Sequence, residues 1–239
     1  MTWDTSLTII IPVYNDVKSL ERALPLTIRH LEEINLPFEV IIAEDASSDG
    51  SYELALSYTE TDSRIKLSHS SERRGKGGGI SDAIKMSTGD IVCFYDVDLA
   101  TDLSSLPELI KTVIEDSDIA IGSRNHPKSH VNRANSRNIT SKLFLCLART
   151  LLGKAVTDYQ CGFKAFKKSC LDVLLPRTRT RGWTWDSEIL ALAQKHGYTI
   201  KEIPVIWFES NQTTLRFKDM FIMGWEIVAL SWRLHVEKS

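Results

Sequence analysis

Ile91-Val92-Cys93-Phe94-Tyr95-Asp96-Val97-Asp98 is the stretch that decides the fold, because five strand-forming residues run directly into two aspartates. An unbroken apolar run of this kind is typical of a strand buried on both faces of a parallel sheet. Its last residues then lie at the carboxyl edge of the sheet, where open α/β sheets bind their ligands. Paired carboxylates at such an edge suit a divalent cation that also holds a diphosphate, since hard cations prefer oxygen ligands.

The same design occurs nearer the N-terminus, where an apolar run leads into Glu44 and Asp45. Predicted strands and helices alternate through the first half of the chain. This order predicts an α/β fold with a mostly parallel, Rossmann-like sheet and helices on both faces, through right-handed crossovers. The predicted elements are strands at 7–13, 39–43, 65–67, 91–95, 118–122 and 199–208, and helices at 17–34, 51–59, 80–86, 106–115, 139–152 and 185–196.

Composition bounds the class of protein. The 239 residues have the length of one α/β domain, and 43% hydrophobic with 25% charged residues is a globular composition. A net charge of -2 gives no reason to expect a nucleic acid as partner. The four cysteines include no CxxC pair, so we expect thiols in a reducing compartment. The first residues lead straight into a strand, without a visible signal sequence.

Polar side chains follow the first two strands at the same predicted edge. Pro12, Tyr14 and Asn15 close the first strand, where a ring and an amide are suited to hold a nucleobase, although such residues also form ordinary turns. After the second strand, Asp45 is suited to accept from a base N–H or a ribose hydroxyl. Asp49 is better explained as the cap of the next helix.

A glycine-rich basic segment, Arg73–Gly79, precedes the strand that ends in two aspartates. Glycines let backbone N–H groups approach an anion, and Arg74 and Lys76 add positive charge. We therefore expect a flexible anion-binding loop, followed by a helix from residue 80. The closing Gly-Lys-Ser/Thr of a Walker loop is missing, and no Gly-x-Gly-x-x-Gly follows the first strand, so neither a P-loop nor a dinucleotide site is supported.

Taken in order, these motifs resemble those of the family 2 glycosyltransferases of the glycosyltransferase-A fold, from about residue 7 to residue 234. The second half of the chain carries further motifs at 122–124, 158–166, 185–188, 202–205 and 207–209, and these are similar to motifs of the polyprenyl-phosphate hexose synthase branch. Within that branch, two motifs are more like those of dolichyl-phosphate β-glucosyltransferases than those of dolichyl-phosphate mannose synthases, namely Arg-Gly-Lys-Gly-Gly (74–78) and the Trp207-x-Glu209 ending. The motifs are Ile-Pro-Val-Tyr-Asn (11–15), Glu-Asp-Ala-Ser-Ser-Asp-Gly (44–50), Arg-Gly-Lys-Gly-Gly (74–78), Asp-Val-Asp (96–98), Gly-Ser-Arg (122–124), Asp-Tyr-Gln-Cys-Gly-Phe-Lys-Ala-Phe (158–166), Trp-Asp-Ser-Glu (185–188), Glu-Ile-Pro-Val (202–205) and Trp-Phe-Glu (207–209).

The resemblance implies a donor site for a nucleotide-diphosphate sugar. Asp96 would contact the donor ribose or sugar, and Asp98 would bind Mg²⁺ or Mn²⁺ on the diphosphate. Mannose synthases often carry a Gln two residues after the metal-binding aspartate, where this chain has Ala100, which favours a glucosyl donor. Arg216 stands two positions from the place of a lysine that clamps the diphosphate. The other implied donor-site residues are Pro12, Tyr14, Asn15, Asp45, Arg74 and Lys76.

The resemblance also implies an acceptor site for a lipid phosphate, formed by Arg124, Arg137 and Ser141. Arg137 and Ser141 are four residues apart, about one helical turn, so both can face one anion. Arg133 competes with Arg137 for this role. Arg124 closes a strand at the Gly-Ser-Arg motif and is counted as catalytic together with the two aspartates.

The implied function is inverting, metal-dependent transfer of a hexose from a nucleotide-diphosphate sugar to a polyprenyl or dolichyl phosphate. UDP-glucose is the favoured donor and GDP-mannose the second. In relatives that act on a glycan hydroxyl, an acid near Asp186 or Glu188 serves as the base, and this alternative stays open. The alternative in which the protein is not an enzyme is an inactive nucleotide-sugar binder that serves as a scaffold.

Residues 217–239 are predicted to form a C-terminal helix beyond a catalytic domain at 1–216. Glu226 interrupts its apolar run, which is shorter than the roughly 18–20 residues of a membrane span. Trp225 and Trp232 favour an interfacial helix, as do the apolar residues of 139–152, while packing into the core is the equal alternative. We expect a peripheral protein on the cytoplasmic face of a membrane, whose partners are the two substrates and the membrane surface.

Overall fold

The predicted alternation of strands and helices is present in the structure. The computed structural model describes residues 4–132, 147–153, 155–209 and 217–236. The strands are β1 (Leu7–Val13), β2 (Phe38–Asp45), β3 (Ile65–Ser70), β4 (Ile91–Tyr95), β5 (Ile119–Ser123), β6 (His130–Asn132), β7 (Phe163–Lys167), β8 (Ile200–Pro204) and β9 (Ile206–Phe208). The helices are α1 (Val17–Ile34), α2 (Ser51–Thr61), α3 (Lys76–Met86), α4 (Leu106–Glu115), α5 (residues 147–152), α6 (Lys168–Leu174), α7 (Trp185–Lys195) and α8 (Phe217–Val236).

A seven-stranded sheet with the order β3-β2-β1-β4-β7-β5-β8 forms the centre of the molecule. Neighbouring strands are parallel, except that β7 runs antiparallel to both β4 and β5. The mostly parallel α/β architecture is therefore confirmed. β7 itself is not predicted from the sequence, because two of its five residues are lysines and it lacks the continuous apolar run of the other central strands.

Helices cover both faces of this sheet, as expected for crossover connections. Along β1 the side chains alternate, so that Ile9 and Ile11 join one core cluster while Ile10 joins the other. Helices α1, α2 and α4 pack on the first face. Helices α3, α5, α6, α7 and α8 contribute to the cluster on the second face.

Several predicted element ends differ from the structure by one to three residues, and two differences are larger. Helix α3 begins at Lys76, four residues before the predicted start, so the second half of the expected flexible loop is helical. Its glycines lower the helix propensity, but tertiary contacts described below hold the turn. The single late strand predicted at 199–208 is interrupted at Val205: β8 pairs with β5, whereas β9 pairs with the short strand β6. Pro204, which has no N–H to donate, ends β8.

Helix α8 has one buried and one exposed face. Ile227 and Leu230 lie in the core cluster that also contains α7, whereas Trp225 and Trp232 are 75% and 74% exposed. The two readings of this helix, core element and amphipathic element, therefore describe its opposite faces. Among the described residues, no helix has the length and apolar character needed to cross a bilayer. Most of the other predicted interfacial helix, 139–152, lies outside the described residues.

Candidate active site

The carboxyl ends of β1, β2 and β4 lie side by side, because β1 pairs in parallel with both of its neighbours. Strand β5 points the same way, since β7 between it and β4 is antiparallel to each. One edge of the sheet thus collects the turn after β1, the acids that end β2, the Asp96–Asp98 turn and Arg124. This is the edge at which the sequence predicts the ligand site.

Asn15 fastens the end of β1 to the loop that follows β2. Its φ of 49° lies in the left-handed region, which Asn tolerates better than most residues. Its N–H donates to Ser47 Oγ (2.9 Å), and its Oδ1 accepts the Ser48 N–H (2.8 Å). Asp49 accepts the Ser51 N–H (3.1 Å) at the start of α2, but the N-cap position itself is Gly50, one residue after the predicted cap. Asn15 therefore helps to shape the predicted nucleoside side of the site.

Asp45 holds the turn from which α3 starts. One carboxylate oxygen accepts the Arg74 N–H at 2.5 Å, and the other accepts the Gly75 N–H at 2.9 Å. The guanidinium carbon of Arg73 lies 3.5 Å from the centroid of the Tyr14 ring. Two predicted nucleoside-side residues, Tyr14 and Asp45, therefore both contact the basic segment.

The glycines of the basic segment allow close contact with the residues that precede α7. Gly75 has a φ of 79°, and a Cβ there would lie 2.7 Å from the carbonyl oxygen of Arg181. A Cβ at Gly77 would lie 2.2 Å from the Cβ of Trp185. The Gly78 N–H donates to the Arg181 carbonyl at 3.0 Å. The segment is thus a turn held on one side by Asp45 and on the other by residues 181–185.

Two lysines and two aspartates form a charge network beside this turn. Lys76 Nζ lies 2.8 Å from Asp96 Oδ1 and 3.3 Å from Asp186 Oδ2. The other oxygen of Asp186 pairs with Nζ of Lys164, a side chain that is 0% exposed. Burial opposes the charge of Asp186, but Lys164 and Lys76 outweigh it and hold the pKa of its carboxyl below the ordinary value. Asp186 is therefore an anion at neutral pH, with both oxygens engaged.

The same network affects Lys76 and Asp96. Burial alone would lower the pKa of the Lys76 ammonium, but the charges of Asp186 and Asp96 raise it, so the lysine stays protonated. Gly162 leaves space for the Asp96 carboxylate, because a Cβ at Gly162 would lie 2.1 Å from Asp96 Oδ2. Lys76 is therefore a charged ammonium fixed between Asp96 and Asp186 at the end of β4.

Asp98 lies in a turn whose geometry is constrained. Its Oδ1 accepts the Ala100 N–H (3.0 Å), its backbone carbonyl accepts from Arg22 Nη2 (2.7 Å), and Leu99 has a φ of 54°. Within the described part of the chain, no three acidic, His or Cys side chains converge as a metal site. One or two carboxylates completed by phosphate oxygens is a usual donor set for Mg²⁺, and the Asp96–Asp98 turn fits it.

Arg124 makes a two-pronged ion pair with Asp158. Its Nε donates to Asp158 Oδ2 (2.7 Å) and its Nη2 to Oδ1 (2.8 Å). Asp158 is buried, and its backbone N–H is bonded to Glu202 Oε1 (3.0 Å). The Trp207 ring centroid lies 5.6 Å from the guanidinium carbon of Arg124. These contacts fix the orientation of Arg124, the predicted acceptor-binding arginine. They also give a structural reason for an aspartate at the start of the 158–166 motif.

Four of the predicted site residues lie outside the described residues, so their roles stay predictions. They are the acceptor-phosphate residues Arg133, Arg137 and Ser141 and the diphosphate clamp Arg216.

Lys164 is a site residue that the sequence reasoning missed. It occupies the middle of β7 between Phe163 and Ala165, where its charge is buried. A lysine flanked by buried apolar residues needs a carboxylate partner, and that requirement is the signal in the sequence. Its partner is Asp186, which lies at the start of α7.

The comparisons with known proteins agree with this geometry. Residues 8–175 match the family described as "Glycosyl transferase family 2". The chain is 35% identical over 235 residues to the glycosyltransferase AglD of Haloferax volcanii, covering 96% of this chain and 38% of that protein. It is 33% identical to the dolichyl-phosphate beta-glucosyltransferase of Dictyostelium discoideum, covering 95% of this chain and 74% of that protein.

Solved structures show the same fold at low sequence identity. A mannosyltransferase from Pyrobaculum calidifontis, in complex with GDP-Man and Mn²⁺, superposes with a TM-score of 0.65 at 21% identity, covering all of this chain and 66% of that one. Glucosyl-3-phosphoglycerate synthase from Mycobacterium tuberculosis superposes with a TM-score of 0.68 at 16% identity, covering 97% of this chain and 80% of that one. Because the family model covers more than half of the chain and a relative is 33% identical over nearly all of it, this chain belongs to glycosyl transferase family 2 and is a glycosyltransferase.

Proposed function

We propose that the protein transfers a hexose from a nucleotide-diphosphate sugar to a polyprenyl (dolichyl-type) phosphate, with inversion and with a divalent cation. UDP-glucose is the first donor proposed and GDP-mannose the second. The support comes from the motif order, from relatives named dolichyl-phosphate beta-glucosyltransferases and from the arrangement of charges at the sheet edge.

The observation that carries the proposal is the pairing of Asp186 with two lysines. A hydroxyl acceptor must lose a proton to a general base as it attacks. Asp186 is one of the two acids proposed as this base in relatives with hydroxyl acceptors, and here both of its oxygens are bonded to ammonium groups. A phosphate acceptor is an anion before it attacks and needs no base, so the network favours a phosphate.

The charges at the sheet edge suit the binding of two anionic substrates. Asp98, with Asp96 beside it, would hold Mg²⁺ or Mn²⁺ together with the donor diphosphate. When bound, the cation supplies Lewis-acid stabilisation of the leaving nucleotide diphosphate. Lys76 and Arg74 add positive charge at the start of α3, and Pro12, Tyr14, Asn15 and Asp45 would border the nucleoside.

In the transfer step, an oxygen of the acceptor phosphate forms a bond to the anomeric carbon of the donor. The bond from that carbon to the β-phosphate oxygen breaks, and its electron pair leaves with the nucleotide diphosphate. Attack in line with the breaking bond converts an α-linked donor into a β-linked product. Arg124 would neutralise the acceptor phosphate, which otherwise repels the donor diphosphate.

We propose further that the protein reaches its lipid substrate as a peripheral protein on the cytoplasmic face of a membrane. The support is the exposed apolar face of α8, where Ile222, Trp225, Val228, Trp232 and Val236 are all exposed. Tryptophan rings favour the level of the lipid headgroups. This face is suited to a membrane surface, while the opposite face of the helix remains packed on the core.

The test is a transfer assay with polyprenyl phosphate, Mg²⁺ or Mn²⁺, and radiolabelled UDP-glucose, GDP-mannose and UDP-N-acetylglucosamine in parallel. We expect lipid-extractable label from UDP-glucose, abolished by a chelator. Label from GDP-mannose alone would correct the donor. No lipid-extractable label from any donor, in a protein that binds nucleotide, would refute the lipid-phosphate acceptor.

A further inference from the structure

Residues 178–184, here called the brace, connect two parts of the molecule that are far apart in the chain. They have no regular secondary structure and precede α7. On one side they contact the turn at residues 74–78, here called the donor turn. On the other side they are tied to α8 through acidic residues of α7 and α8.

The contact with the donor turn is made backbone to backbone. The Arg181 carbonyl oxygen accepts the Gly78 N–H at 3.0 Å and lies 2.7 Å from the position that a Cβ of Gly75 would take. Trp185, the residue after the brace, packs directly on Gly77. Because Gly77 and Gly75 leave no gap, a displacement of the brace must displace the donor turn or break these contacts.

Glu188 holds the brace in place from the other side. Its side chain is 0% exposed, and its Oε1 accepts the Arg179 N–H at 2.9 Å. Its Oε2 accepts the Thr180 N–H at 2.7 Å and the Thr180 hydroxyl at 2.5 Å. Arg233 of α8 completes the set by donating to Oε1. All of these partners are donors, so the site requires a group that accepts on both oxygens.

A second bond ties the brace to the same helix. The Thr184 hydroxyl, at the end of the brace, donates to the Glu226 carboxylate of α8. Glu226 is the acid that interrupts the apolar run of α8 in the sequence. Its bond to the brace gives that interruption a structural reason.

We propose that Glu188 is a positioning residue, which with Arg233 holds the brace against the donor turn and so sets the affinity for the donor. The proposal rests on the proposed function in one respect, namely that the donor diphosphate binds at the donor turn. It gives Glu188 a role different from that of a catalytic base, because all of its bonds go to donors of the protein itself. It also makes the C-terminal helix part of the donor site's support.

The experiment compares Glu188→Gln and Arg233→Met with the wild-type protein by amide hydrogen exchange of the nucleotide-free full chain. Gln places an NH₂ group where one of the two carboxylate oxygens accepts, so at least one bond from a backbone N–H of the brace is lost. We expect faster exchange at residues 74–78 in both variants, with exchange in β1 and β2 unchanged. Arg233→Met keeps Glu188 and much of the side-chain volume, so it tests the link if Glu188→Gln folds poorly.

Nucleotide binding gives the second readout, with UDP and GDP each titrated in the presence of Mn²⁺. Both variants should raise the Kd of the nucleotide that the wild type binds by about tenfold, and raise donor KM more than they lower kcat. The matched control is Lys195→Met, which removes another α7–α8 contact, the bond from Lys195 Nζ to the Leu234 carbonyl (3.1 Å), away from the brace. It should leave exchange and Kd unchanged.

The outcomes separate this proposal from the function it rests on. Unchanged exchange at 74–78 in both variants would overturn the proposed role of the brace, whichever nucleotide the wild type binds in the titrations. Faster exchange with an unchanged Kd would overturn its link to the donor. A general base at Glu188 would instead give a Glu188→Gln variant with a large loss of kcat and a normal donor Kd. A failed transfer assay with the expected exchange would count against the proposed function alone.

Discussion

At the scale of single residues, the contacts of Asp186 distinguish a hydroxyl acceptor, which needs a general base, from a phosphate acceptor, which does not. A general base needs an oxygen that is able to take a proton near neutral pH. The Asp186 carboxylate is bonded to Lys164 and Lys76, and its pKa is lowered. Its observed role is to balance the charge of a fully buried lysine and to hold Lys76 beside Asp96.

Asp186→Asn is expected to lower the free energy of unfolding by about 3 kcal/mol, because it leaves the buried Lys164 ammonium without its carboxylate. The double variant Lys164→Met/Asp186→Asn should recover most of this loss, since it removes the stranded charge as well. Urea unfolding of the three proteins measures both effects. A double variant that is as unstable as the single one would contradict the stabilising role of the pair.

The lowered pKa of Asp186 predicts how the free energy of unfolding depends on pH. The folded-state pKa of Asp186 is lowered from 3.8, so the stability from its charge is complete above that pH and is lost as the pH falls through the lower folded pKa. The difference in unfolding free energy between wild type and Asp186→Asn should be constant from neutral pH down to about pH 5 and shrink below pH 4. A difference that grows on acidification would have the wrong sign.

Arg124→Lys is expected to affect the acceptor more than the donor. A lysine is unable to form the two-pronged pair with Asp158, so its charge is no longer held in one orientation. The KM for polyprenyl phosphate should rise by about tenfold, with a donor KM within about twofold of wild type. Steady-state kinetics with each substrate varied in turn give the answer. Equal effects on both KM values would argue against the acceptor role.

At the scale of elements, the first turn of α3 offers a matched pair of glycines. A Cβ at Gly77 would lie 2.2 Å from the Trp185 Cβ, whereas a Cβ at Gly79 meets only ordinary contacts, the nearest to Ala43 at 3.9 Å. Gly77→Ala should lower stability by about 2 kcal/mol and weaken nucleotide binding, because α3 must move away from α7. Gly79→Ala should be neutral or stabilise by up to about 1 kcal/mol. Thermal unfolding with and without nucleotide distinguishes the two variants. Similar losses of stability in Gly77→Ala and Gly79→Ala would contradict the described packing of Gly77 on Trp185.

Helix α8 carries the prediction about the membrane. Trp225→Ser/Trp232→Ser should weaken binding to vesicles of phosphatidylcholine and phosphatidylglycerol by at least about tenfold, since two rings leave the lipid interface. The control is Leu26→Ser/Leu56→Ser, which changes two exposed apolar residues on α1 and α2, the helices of the other sheet face. Co-sedimentation should find the control bound like wild type. Equal binding of all three proteins would leave α8 as a core helix only.

At the scale of the whole molecule, the parallel half of the fold is predictable from local pattern. Its strands are apolar runs, its helices α1 and α4 have amphipathic spacing, and the structure gives both helices the predicted bounds. The antiparallel strand β7 is not predictable in this way, because its sequence is not an apolar run. Its buried Lys164 is paired with a carboxylate from a distant helix, and the local pattern shows that such a partner is needed without identifying it.

The candidate site divides in the same way. Asp45, Asp96 and Asp98 are predictable as neighbours, because they end parallel strands of one sheet. The interpretation of 73–79 as a flexible loop fails because its glycines serve a contact with Arg181 and Trp185. Glycine signals that a backbone must be approached closely, but it does not say by what.

The most direct test of the proposed chemistry compares two acceptors of equal chain length, polyprenyl phosphate and the corresponding polyprenol, with UDP-glucose and Mn²⁺. Wild-type protein should label only the phosphate, because Asp186 is held by Lys164 and Lys76 and is unable to take a proton from a hydroxyl. The labelled product should release its sugar on mild acid treatment, as a sugar phosphate does. Label on the polyprenol would contradict the phosphate-acceptor function, and its loss in an Asp186→Asn protein that is folded and binds nucleotide would show that Asp186 is a general base.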